Sequence, residues 1–99
     1  MKEKRTGKIF FQDRLNRRLK NAEFRKAYDE MDAEVRLAVE IAEARETAGL
    51  SQAELAMALH TKQSNISRIE RGAQNVTIGT LGKIARALHC KLDIQIRHA

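Results

Sequence analysis

The stretch that most constrains this chain is Ser51 to Gly72, SQAELAMALHTKQSNISRIERG, which holds two short helical patterns separated by a brief break. Ser51 with Glu54 three residues on makes a capping box. The hydroxyl accepts from a free amide of the first turn, and the carboxylate reaches back to the serine amide. Leu55, Ala56 and Leu59 then fall at helical spacing and give one apolar face. The pattern breaks at His60 and Thr61, where Thr61 is expected to cap a second helix from about Lys62 to Arg71. Ile66 and Ile69 are its only large apolar residues, and Gly72 is expected to supply a left-handed stop.

The opposite face of that second helix carries Gln63, Ser64, Asn65, Ser67 and Arg68. Gln and Asn pair bidentately with adenine, Arg with guanine and Ser with either, in a major groove wide enough to admit a helix. The bland alternative is a pair of solvated amphipathic helices from any small bundle, and composition does not separate the two.

The order of features does. Ser51 to Gly72 resembles the helix-turn-helix of the lambda-repressor/Cro-like (XRE) family, and the likeness extends from about Ala44 to Leu92. The resemblance implies that Gln52, opening the first helix, binds phosphate, and that Ala56 lets the two helices cross closely. It also implies a structural ion pair between Arg45 and Glu70. Base reading falls on Gln63, Ser64, Asn65, Ser67 and Arg68; phosphate contacts fall on Gln52, Thr61, Lys62, Arg71, Gln74, Asn75 and Thr77. One position departs from the pattern: the family often has Gly at the turn, where this chain has His60. A non-glycine residue with positive φ is uncommon, although His is among the enriched types.

Ninety-nine residues suffice for one domain with a modest core. Proline is absent and aromatics make up 4%, which fits a mainly α chain and disfavours a sandwich or barrel. No apolar run is long enough to span a membrane, and no signal-peptide core follows the basic start MKEKRTGKIFF. The single cysteine, Cys90, points to no internal disulfide, and the chain is expected in the cytoplasm. A net charge of +6 favours an anionic partner. The excess is uneven, however: residues 1–30 hold ten Lys/Arg against five Asp/Glu, whereas residues 31–50 hold two against five.

Residues 1–30 read as an N-terminal helical arm. Phe11, Leu15 and Leu19 form one stripe opposite Arg14, Arg17, Arg18 and Lys20, and Asn21 is placed to cap a short helix bearing Phe24, Ala27, Tyr28 and Met31. Such a segment could lie on a membrane, bind nucleic acid, fold back onto its own domain or clasp another protein. Asp29 or Asp32 opens a long helix to about Ala48, with Val35, Ala38, Ile41, Ala42 and Arg45 in a stripe. Glu40, Glu43 and Glu46 are expected to keep its outer side acidic, and Gly49 to end it. Thr77 caps a last helix, Ile78 to about Leu88, with Leu81, Ile84, Ala85 and Leu88 inward; Gly79 and Gly82 read as packing contacts. The tail alternates, with Leu92, Ile94 and Ile96 on one side and Asp93, Gln95 and Arg97 on the other. That reads as a β-strand needing a partner: its own copy, the Ile9–Phe11 segment, or a bound protein.

The expected fold is therefore a five-helix lambda-repressor/Cro-type helix-turn-helix bundle. It has an arm over residues 1–30, a DNA-binding domain over 31–90, and a strand over 91–99 paired across a dimer. No zinc spacing, phosphate-binding glycine loop or nucleophile motif is present, so neither an enzyme nor a cofactor, metal or small-molecule site is expected. The whole layout is similar to one branch of the family, the HigA-type antitoxins of type II toxin–antitoxin pairs, through LKNAEFRKAYDE and EARETAGLSQAELA. That resemblance implies autorepression of an operon, operator DNA as partner, and a RelE/HigB-like ribonuclease toxin. The toxin would be held by an apolar clasp of Phe11, Leu15, Leu19, Phe24 and Tyr28, or by the acidic helix over residues 32–48. The rival readings are a stand-alone phage-type regulator and a protein-interaction module that has lost DNA binding.

Overall fold

The computed structural model describes residues 17–73 and 75–98. Residues 17–19 are helical, and five helices follow: α1 (Ala22–Glu30), α2 (Ala33–Thr47), α3 (Gln52–Ala58), α4 (Gln63–Gly72) and α5 (Ile78–Ala87). Four start where a short polar side chain meets a free amide of the first turn. Asn21 accepts from the Phe24 amide at 2.9 Å, Asp32 from Val35 at 3.0 Å, Ser51 from Glu54 at 3.0 Å and Thr77 from Thr80 at 3.1 Å. Glu54 returns the bond by accepting from the Ser51 amide at 2.8 Å, completing the capping box. The Ser51 amide, followed by its hydroxyl, holds the Glu54 carboxyl below its ordinary range.

The fifth start differs from expectation. Lys62, not Thr61, occupies the cap of α4 and makes no side-chain bond there. The Thr61 hydroxyl instead accepts from the Asn65 side chain at 3.1 Å, so it is occupied one turn further in.

Three helices close by the same device, a left-handed residue just past the cap that turns two amides back onto the last turn. Gly49 (φ 77) ends α2, His60 (φ 55) ends α3 and His89 (φ 56) ends α5. At the α3–α4 turn, His60 donates to the Met57 carbonyl at 3.1 Å and Thr61 to the Ala56 carbonyl at 2.9 Å. Imidazole thus stands where glycine is the easier choice. The end of α4 corrects another expectation: Gly72 stays helical, and the left-handed residue is Ala73 (φ 50). Ala73 is also a core residue, 4% exposed, so burial of its methyl group offsets part of the strain.

α4 packs against both α2 and α3, and α3 also touches α5. The core joins Ala38, Ile41 and Ala44 of α2, Leu55 and Ala56 of α3, Ile66 and Ile69 of α4, and Leu81, Ile84 and Leu88 from the α5 region. Ala56 is 2% exposed, and its small side chain allows the close approach of α3 and α4. Gly79 and Gly82 are not packing contacts as expected. A Cβ at Gly82 would meet nothing within 4 Å, and one at Gly79 only the Thr77 hydroxyl at 3.8 Å.

The outer side of α2 is not the open acidic face expected. Glu43 is buried and paired with Arg18. Glu40 accepts from the Tyr28 hydroxyl at 2.7 Å. Arg18 also lies over the Phe24 ring, 4.2 Å from its centroid, and Phe24 and Tyr28 pack at 5.9 Å. Burial, followed by the Glu40 hydrogen bond and charge, pushes the Tyr28 pKa well above its ordinary value. Arg18 and Tyr28 therefore hold the arm to α2 through Glu43 and Glu40, and Arg36 of α2 lies over the Tyr28 ring at 5.8 Å.

The expected terminal strand is absent from the described residues. Residues 90–98 carry no regular structure, and Leu92, Ile94 and Ile96 are 37%, 55% and 97% exposed. A strand exists through its hydrogen-bonded ladder, and the described residues offer this segment no neighbour; the Ile9–Phe11 segment lies outside them.

Candidate nucleic-acid interface

Ile66 and Ile69 seat the back of α4 in the core and thereby fix which side chains face outward. Gln63, Ser64, Arg68 and Arg71 are exposed, while Asn65 and Ser67 are half-buried. α4 has one carboxylate, Glu70, and it is turned inward, where Arg45 donates to it from Nε at 2.7 Å and from Nη2 at 3.2 Å. Arg45 also donates to the Leu50 carbonyl at 2.7 Å. The Glu70 hydrogen bond, acting against burial, raises the Arg45 pKa. Neutralising Glu70 within the fold leaves the outer face of α4 to cations, amides and hydroxyls.

Two shallow grooves bound this face. His60, Thr61, Lys62, Ser64, Asn65, Arg68 and Arg71 line one. Asn65, Arg68, Arg71, Asn75 and Thr80 help to line the other, which reaches the start of α5. Of the expected base readers, Ser64, Asn65 and Arg68 are brought together, with Gln63 exposed at the N-terminus of α4 and Ser67 half-buried. Arg68 donates from Nη2 to Asn65 Oδ1.

The expected phosphate ligands are more dispersed. Thr61, Lys62 and Arg71 share the first groove. Asn75 (φ 59) is exposed in the α4–α5 loop, and Thr77 is exposed but donates its hydroxyl to Thr80 at 3.0 Å. Gln52 turns inward and donates to Glu70 at 3.1 Å, so its amide joins the Arg45–Glu70 pair. Gln74 lies outside the described residues, as do Phe11 and Leu15 of the expected clasp. Of the other clasp residues, Leu19, Phe24 and Tyr28 are half-buried. The tail residues Leu92, Ile94 and Ile96 share no groove with the α4 face.

Sequence reasoning missed Thr80, which lines the second groove, and the inward turn of Gln52. Thr80 gave no signal beyond its place one turn after the Thr77 cap. Among the described residues no group of three or more His, Cys, Asp and Glu is placed to hold a metal, and no helix is long and apolar enough to cross a membrane. Cys90 is half-buried, donates to the Leu88 carbonyl at 3.5 Å, and has its thiol pKa pushed up by burial.

A helix-turn-helix family model matches residues 41–95, which runs from the second half of α2 to the tail. No curated protein and no solved structure matches the chain significantly.

Proposed function

The chain belongs to the XRE-type helix-turn-helix family of DNA-binding regulators, and from that premise we propose that it is a dimeric, sequence-specific repressor acting as the antitoxin of a type II toxin–antitoxin pair. The observation that carries the DNA-reading part is the outward face of α4: amides, hydroxyls and arginines stand clear while its only carboxylate is paired inward with Arg45. Arg68, Gln63 and Ser64 read base edges, while Lys62, Arg71, Asn75 and Thr77 set position on phosphates. Two copies would present two such helices to half-sites about one helical turn apart. The exposed Leu92, Ile94 and Ile96 are the surface offered to a second copy, through strand pairing that no other described residue provides.

The antitoxin reading rests on the layout of the whole chain, with the arm and its Leu19, Phe24 and Tyr28 as the surface for a RelE/HigB-like ribonuclease. The acidic face of α2 is the weaker candidate, since Glu40 and Glu43 are engaged with Tyr28 and Arg18. Those same contacts favour a second reading, a stand-alone regulator whose arm is structural. Co-expression with the small protein encoded next door distinguishes the two: a stable complex supports the antitoxin, and its absence supports the stand-alone regulator. No catalytic role is part of either reading.

The DNA reading is tested by fluorescence anisotropy on DNA upstream of the chain's own gene, with scrambled DNA alongside, at two salt concentrations. Wild type should prefer its own DNA, and Gln63→Ala/Arg68→Ala should retain only the scrambled-DNA affinity. Arg68→Ala alone should cost roughly 1–3 kcal/mol at one base step, whereas Lys62→Ala should weaken binding evenly across sequences. Equal binding by all variants, abolished together by salt, would leave only non-specific electrostatics.

A further inference from the structure

Asn65 and Arg68, three residues apart, share one side of α4, and Thr61, one residue before the Lys62 cap, meets Asn65 on that side. Their side chains form a hydrogen-bonded relay. Asn65 Nδ2 donates to Thr61 Oγ1 at 3.1 Å, and Asn65 Oδ1 accepts from Arg68 Nη2. The orientation of the amide is dictated by chemistry. A guanidinium has only donors, so the carbonyl end of Asn65 must face it, and the nitrogen end is left for the hydroxyl.

We propose that Thr61 and Asn65 are positioning residues that hold Arg68 in its reading conformation, and that Asn65 is not itself a base reader. This rests on the reading of α4 as the base-reading helix. Bidentate recognition of adenine needs both ends of an Asn amide aimed at one base edge. Here the two ends are directed along the helix, one towards Thr61 and one towards Arg68. Arg68 is exposed and long, and ordering such a side chain on binding carries an entropic cost. Asn65 meets part of that cost in the free protein while leaving the remaining guanidinium N–H groups for the O6 and N7 of a guanine. Thr61 in turn keeps the Asn65 amide from rotating.

The test uses the full chain and a duplex that it selects from a randomised pool, together with every single-base-pair variant of that duplex. Asn65→Ala should weaken the selected duplex by about three- to tenfold. It should lose discrimination at the same base pair as Arg68→Ala, and it should add little in the Asn65→Ala/Arg68→Ala double variant. Thr61→Val should give a smaller loss at that base pair, and none in the Asn65→Ala background. A purely structural role for Asn65 would weaken all duplexes alike and would overturn the proposal. So would discrimination lost at a different base pair with additive effects, which would make Asn65 a reader in its own right. If the wild type enriches no sequence, or Arg68→Ala leaves discrimination intact, the DNA-reading assignment of α4 falls first and the relay with it.

Discussion

Arg45 of α2 and Glu70 of α4 are joined by a two-pronged ion pair across 25 residues of sequence, with the shorter contact at 2.7 Å. Their side chains are only 12% and 7% exposed, and Gln52 adds a third donor to the same carboxylate. The pair therefore ties three helices together and removes the one negative charge from the back of α4. Removing one partner strands the other charge in a mostly dry setting. Glu70→Ala or Arg45→Ala should destabilise by about 2–4 kcal/mol, seen as a lower urea midpoint with an unchanged slope. Arg45→Met/Glu70→Leu should recover much of the loss, and a double variant as weak as the sum of the singles would refute this account.

Backbone conformation makes opposite predictions at four positions. Gly82 lies within α5 with free space around it, so Gly82→Ala should raise stability by about 0.5–1 kcal/mol. Gly79→Ala should do nearly the same. Gly49, at φ 77, should lose about 1 kcal/mol on conversion to Ala despite equally open space. His89→Gly should gain up to about 1 kcal/mol, because φ 56 strains a residue with a Cβ. Thermal midpoints of the four variants check the set.

The Tyr28 hydroxyl and the Glu40 carboxylate join α1 to α2 at 2.7 Å. Tyr28→Phe should weaken that attachment by about 0.5–1.5 kcal/mol while leaving the core of α2 to α5 intact. Faster proteolysis or amide exchange confined to residues 20–31 is the expected readout. Equal acceleration in α4 would show that the arm is part of the central folding unit instead.

Glu54 has a depressed pKa in the folded chain, so its contribution is present above the ordinary glutamate value near 4.3 and lost as pH falls through the lower folded value. Acid unfolding below the ordinary glutamate value should therefore include a loss from the start of α3. Glu54→Gln keeps an acceptor for the Ser51 amide but does not titrate, and should flatten that part of the acid limb. An unchanged pH profile in the variant would assign the acid sensitivity to other carboxylates.

Helix starts were legible because a cap is a relation between neighbours. Asn21, Asp32, Ser51 and Thr77 each bond an amide three residues on, within reach of any local pattern. The inward stripes of α4 and α5 were legible for the same reason, since helical periodicity places Ile66, Ile69, Leu81 and Ile84 together without knowledge of the rest. The exposed polar face of α4 followed from those anchors. The Arg45–Glu70 pair, distant in sequence, was expected from family resemblance alone.

What the sequence by itself determined was thus the helices, the N-caps of four of them and the polar chemistry of the outer face of α4. Tertiary structure alone decided that Glu43 is buried under Arg18, that Gln52 turns to Glu70, and that Ala73 takes the left-handed position expected of Gly72. Each depends on groups brought together by packing: a glutamate stripe reads as solvated until another segment covers it, and a glycine reads as a stop until a neighbouring methyl group is wanted in the core. The tail shows the same limit from the other side. Its alternation is written in the sequence, but a strand is a property of a ladder, and the described residues supply one edge only.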